Sequence, residues 1–107
     1  MYGNLFELAA YHARTLDPRA KDMLIVSIES LEDESWKLVN KALPLPFLLV
    51  TKYGYIPNAT REEILRRKDP NLFLLGGGEQ ISEWVEYVLR TLTKGSVFRI
   101  VKSSRMI

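Results

Sequence analysis

Leu72-Phe-Leu-Leu75 runs without a break into Gly76-Gly77-Gly78 and re-emerges at Ser82 as an amphipathic segment. A short apolar run that ends on glycines and restarts with helical spacing reads as a buried strand, a tight turn and a helix start. Three further apolar runs, at 22–28, 47–51 and 96–101, alternate with segments of helical period. The first helical segment, 4–16, sets Leu5, Leu8, Ala9, His12 and Leu16 on one stripe. The second sets Trp36, Val39, Asn40 and Leu43 on one face, and the third runs from Asn58 to the basic cluster Arg66-Arg67-Lys68. The fourth aligns Val85, Val88, Leu89 and Leu92. Ser30 or Asp33, Asn58 and Ser82 stand where N-caps belong, because their side-chain oxygens can accept from the first free amides of a helix. The order α-β-α-β-α-β-α-β predicts an α/β fold: a small open, mostly parallel sheet of about four strands with helices on both faces and right-handed crossovers.

The length of 107 residues is that of a single α/β domain, since a second core would need roughly another 50 residues or more. No uncharged apolar run approaches the roughly 20 residues that cross a bilayer, so membrane insertion is not expected. The first residues lack the basic start and apolar core of a signal peptide. The chain thus reads as cytoplasmic as it stands, or as a cell-surface module trimmed from a longer parent. Fifteen Lys and Arg stand against thirteen Asp and Glu, a balance too even to argue for nucleic acid. Zero cysteines and one histidine remove thiolate chemistry, cysteine-based zinc sites and the usual Ser-His arrangements. No catalytic residue, metal ligand or cofactor is expected.

The motifs fall in a familiar order. Leu48-Leu49-Val50-Thr51 is followed by Ile56-Pro57-Asn58-Ala59-Thr60, then Leu74-Leu75-Gly76-Gly77, Ile81-Ser82, Val85-Glu86, Arg99-Ile100 and Arg105. In this order and spacing the chain resembles the type 2 cell-wall-binding repeat of bacterial and archaeal surface proteins. There an apolar strand precedes Leu-Pro-Ala and a Thr-rich helix start. A strand ending in Gly-Gly, a helix opened by Val-Ser, and a terminal Arg-Ile-x-Gly-x-Asp-Arg follow. The chain is a divergent example, with Lys102 and Ser104 in place of the terminal Gly and Asp and Glu34-Ser35 in place of Ala-Leu. The resemblance implies a non-catalytic binding or assembly module for an anionic cell-envelope polymer. Such repeats pack in threes, so a single copy would act as a homo-oligomer, with a trimer the natural form.

Arg99, Arg105 and Asp33 are the candidates for contacting polymer or partner. Guanidinium forks suit carboxylate and phosphate oxygens, and Asp33 would accept from sugar hydroxyls or pair with an arginine. The competing reading of Arg99 is a salt bridge to Glu83 or Glu86, that of Arg105 a solvated tail, and that of Asp33 a helix-dipole partner. Gly76, Gly77, Gly78 and Ser82 form a possible anion turn with amides at a helix start, set against a plain sharp turn. Glu79-Gln80 replace the Lys-Ser/Thr of a phosphate-binding loop. His12 is expected at the edge of the core, and Tyr53 and Tyr55 are expected to pack at an interface rather than to stack on sugar rings. Arg61, Arg66, Arg67 and Lys68 form a basic patch, read as solvated charges pairing with Glu62 and Glu63. Two rivals remain on the same fold: a cytoplasmic protein that binds a nucleotide or phosphorylated metabolite at the Gly76 turn, and a pure self-assembly protein.

Overall fold

The computed structural model describes residues 2–31, 34–42 and 44–101. Helix α1 (Tyr2–Leu16) leads to strand β1 (Asp22–Ser27) and a single 3-10 turn, Ile28–Ser30. Helix α2 (Glu34–Ala42), β2 (Phe47–Val50), α3 (Asn58–Arg66), β3 (Asn71–Leu75), α4 (Glu83–Leu92) and β4 (Val97–Ile100) follow. All strand pairs are parallel and the order is β2-β1-β3-β4. The expected α/β architecture is the observed one. The chain moves from β1 outward to β2 on one side and to β3 on the other, so the connections above β1 and β3 diverge.

Strand register divides the side chains between two faces. Met23, Ile25, Leu48, Val50, Leu72, Leu74 and Val97 join Ile64 of α3 and Val85 and Leu89 of α4 in the main core. On the other face, Val26 and Leu49 pack with Phe6, Ala9, Leu31, Trp36, Phe47 and Leu75. Helix α1 contributes Ala10 and Ala13 to the first cluster and Ala9 to the second, so it wraps the β2 edge. Its three alanines let its backbone approach closely. Leu8, His12 and Leu16 are exposed, which corrects the expected stripe and the core-edge placement of His12. The helix turns its small residues inward because two faces must be served at one edge, which a bulky stripe would obstruct.

Two helix ends are locked by reciprocal cations. Arg67 donates to the carbonyls of Ala13 and Asp17 at the end of α1 and to that of Ala20, and its Nε donates to Glu63 at 2.9 Å. Lys21 Nζ returns the contact, donating to the carbonyls of Arg67 and Lys68 beyond α3. Carbonyls at a helix C-terminus lack intrahelical donors, and a cation both satisfies them and complements the dipole. Arg67 is almost wholly buried, its side chain 1% exposed. It is therefore not the solvated charge that its place in the Arg66-Arg67-Lys68 cluster suggested. Helix α3 also starts differently from expectation: Pro57 is its N-cap and makes no side-chain cap. Asn58 sits inside the first turn, with Oδ1 accepting from Arg61.

Breaking a buried, multiply bonded charge leaves its partner uncompensated, so Arg67→Ala should cost about 3–5 kcal/mol, read as a fall in urea midpoint. Burial pushes the Glu63 carboxyl up, but the hydrogen bond from Arg66 and the charges of Arg66 and Arg67 hold it below its usual 4.5. A carboxylate lowered by folding stabilises the native state above its unfolded pKa and loses that contribution as pH falls through the folded value. Urea midpoints should therefore drop as pH falls below about 4.5, and Glu63→Gln should fall less steeply over the same range.

Candidate functional site

A groove of about 740 Å³ lies at the carboxyl ends of the strands. Ser30, beyond β1, and Leu75 to Gln80, beyond β3, form one side of it, and Trp36, Leu38 and Val39 of α2 form the other. Ile100 and Val101 close it along β4. Because β1 and β3 are neighbours whose outgoing connections diverge, the groove occupies the topological switch point, where open parallel sheets place their ligands. Trp36 is held by an indole N–H donated to Leu31 carbonyl at 2.9 Å and by a tilted contact with Phe47 at 5.2 Å. The polar groups at the mouth are Ser30, Glu79 and Gln80.

The glycine wall of the groove is shaped from within. Gly76 has φ +116°, a conformation side chains rarely tolerate, and a Cβ there would lie 2.6 Å from that of Gln80. The Gly76 amide donates to Ile100 carbonyl at 2.9 Å, and the Gly77 amide donates to Gln80 Oε1 at 2.9 Å. The amides of Gly78 and Glu79 donate to no acceptor among the described residues. Ser82 accepts from Val85 amide through Oγ at 3.2 Å, as an N-cap. Two of the three glycine amides thus serve the turn itself, and two amides further along remain open.

Arg99 lies on the α4 side of β4, in register with Leu74. Its Nε donates to Glu86 Oε1 at 2.7 Å, and its terminal nitrogens donate to the carbonyls of Gly76 and Ile81 at 2.8 Å. A longer bond of 3.4 Å reaches Ser82 carbonyl. The guanidinium therefore pins β4, the glycine turn and the start of α4 to one point. The salt bridge to Glu86 expected from the sequence is present, and the Arg99 side chain stays 19% exposed. Glu86 also accepts from Arg90 at 2.7 Å, and the hydrogen bond from Arg90 with that from Arg99 holds its carboxyl below the usual range despite partial burial.

Asp33 and Arg105 lie outside the described residues. Tyr53 and Tyr55 are 66% and 92% exposed, so neither packs within the chain's own core. The loop that bears them is tethered by its backbone instead, Lys52 carbonyl accepting from Ser82 amide at 2.9 Å. The sequence marks Trp36 and Val39 as a helix face but not as part of a site, and the α2 wall of the groove adds Leu38 to them. A tryptophan on a helix face reads as core, and only the crossover of α2 over the second face brings it to the switch point. Among the described residues no group of His, Cys, Asp and Glu could hold a metal ion, and no helix is long and apolar enough to cross a membrane.

Comparison with known proteins locates the fold. No family model matches the chain, and no curated protein matches it by sequence. Among solved structures it is similar to Cwp6 from Clostridium difficile, with a TM-score of 0.78 and 22% identity over 94% of this chain. The likeness is one of fold. The chain spans 16% of the length of that protein.

Loss of the Arg99 pin should loosen the turn before it unfolds the core. Arg99→Ala should cost about 1–3 kcal/mol, or roughly 4–8 °C in Tm for each kcal/mol. Arg99→Lys should recover little of it, because a single ammonium cannot reach three directions as a fork does. Calorimetry of both variants would check this.

Proposed function

We propose that the chain is a non-catalytic binding module of the cell envelope, with the switch-point groove as its recognition surface. The observation that carries this reading is the groove itself, framed by divergent connections on a fold similar to that of a cell wall protein. Its apolar floor of Leu75, Ile100 and Val39 beside Trp36 suits the faces of sugar rings. The open amides of Gly78 and Glu79 suit hydroxyl or anionic oxygens. Arg99 enters as the residue that sets the shape of the glycine wall. Arg105 and Asp33 remain polymer or partner contacts of this proposal.

A single groove holds a polymer weakly, and several copies acting together would multiply the affinity without new contacts. The second face of the sheet supports such self-association: Phe73 and Phe98 stack at 5.1 Å, and Phe98 is 49% exposed. We therefore include a homo-oligomer, such as a trimer, in the proposal. Anionic polymer binding would weaken in salt.

Gly78 offers a clean test, because a Cβ there meets nothing within 4 Å. Gly78→Trp should fill the groove mouth and leave the fold intact. We expect the wild type to co-sediment with purified cell-envelope material and Gly78→Trp to lose most of that binding at unchanged Tm. Equal pelleting of the two proteins would remove the groove from the proposal, and no pelleting of either would remove the envelope. The open amides of Gly78 and Glu79 favour one alternative, a small phosphorylated metabolite or nucleotide. Such a ligand at about a hundred times its Kd would add about 2.7 kcal/mol of stability, which a thermal-shift series with nucleotides would reveal.

A further inference from the structure

The groove carries no cation among its lining residues, so the charge for holding an anionic partner must come from elsewhere. At the opposite, amino-terminal end of the sheet, a cleft of about 210 Å³ lies between the α1–β1 connection and the end of α3. Arg19, Lys21, Arg66, Arg67 and Lys68 line it together with Pro18 and Ala20. Every ionisable side chain in that lining is a cation. Beneath them lies Glu63, which is buried and already engaged by Arg66 at 2.6 Å and Arg67 at 2.9 Å.

Five cations line the cleft; of the carboxylates that adjoin them in sequence, Asp22 accepts from the Asn71 side chain and Asp69 from the Lys94 amide, and neither lines it. Such crowding is repulsive, and two of the cations explain themselves structurally. Lys21 and Arg67 are spent on helix-end carbonyls, which cancels the unfavourable dipole that those ends would otherwise present to an anion. Arg66 turns one edge to Glu63 and to Pro18 carbonyl. Arg19 and Lys68 make no side-chain bond among the described residues, and both are exposed. Lys68 also keeps a backbone φ of +56°, where a glycine would sit without strain. Two unspent cations and half of a third thus line a small concave site whose backbone walls are fixed by the interlocked helix ends.

We propose that this cleft binds phosphate groups of a polyanion, with Arg19, Arg66 and Lys68 as the contacts. Its volume of about 210 Å³ admits a tetrahedral oxyanion, and its all-cationic lining suits one, because arginine forks match phosphate oxygens two at a time. The polymer reading above supplies the biological ligand, and the cleft would then take the charged substituents while the groove takes the sugar. The two readings fail separately.

The probe is long-chain inorganic polyphosphate, with binding followed by fluorescence anisotropy at increasing NaCl. The double variant Arg19→Ser, Lys68→Gly removes two cations, relieves the strain at position 68 and breaks no hydrogen bond of the fold. We expect at least a tenfold loss of affinity at low salt and a salt slope lower by about two charges. Lys41→Ser, Lys52→Ser removes the same charge elsewhere on the surface and should lose far less. Equal losses in the two variants would overturn the site, because net charge alone would then explain the binding. So would wild-type protein that ignores polyphosphate. Polyphosphate binding that survives Gly78→Trp, beside envelope binding that does not, would support both sites.

Discussion

Strand β1 is paired on both sides and buried on both faces, and the remaining elements are arranged around that one constraint. Met23 to Val26 have no exposed surface, so neither face of β1 can be left to water and helices must lie above and below. Parallel pairing with β2 and β3 then forces crossover helices. Divergence of the two connections opens the groove at one end of β1. At the other end the returning chains crowd together, and Lys21 and Arg67 interlock the helix termini. Both sites argued for above are consequences of where β1 sits, one at its carboxyl end and one at its amino end.

Arginine does much of the local organisation, and it does so through backbone oxygens. Arg67 and Arg99 each combine one glutamate with carbonyls from two or more segments. A loop carbonyl that faces the interior needs a donor, and a guanidinium supplies several in one plane. This is why the Gly76 turn can be tight, glycine-rich and still well defined.

The strands and their order along the chain were legible because each is a short apolar run beside turn residues, and their bounds differ by only a residue or two from those observed. Ser82 as an N-cap was legible for the same local reason. Strand order was not, since nothing in a parallel strand names its neighbour. Nor was the role of α1, where alanines rather than leucines face inward because the helix serves two clusters from an edge. In the basic run at 66–68, adjacent residues of one type meet different fates. Arg67 is swallowed, Arg66 is shared and Lys68 is left to solvent, a split decided by the approach of α1 and invisible in the run itself. Arg99 was recognisable as important, but whether its fork faces inward depends on the return of the glycine turn beneath it.

The pin at Arg99 also has a mechanical meaning. Strand β4 is an edge strand whose ladder with β3 is parallel, so a pull on the chain beyond Val101, with β3 held at its amino end, runs along the strand and loads its hydrogen bonds together rather than one by one. The same pull drags the guanidinium against the carbonyls of Gly76 and Ile81, tightening the turn into α4 instead of peeling it away. A module anchored through this end would resist tension, and the groove wall would be the part of the molecule that feels the load first.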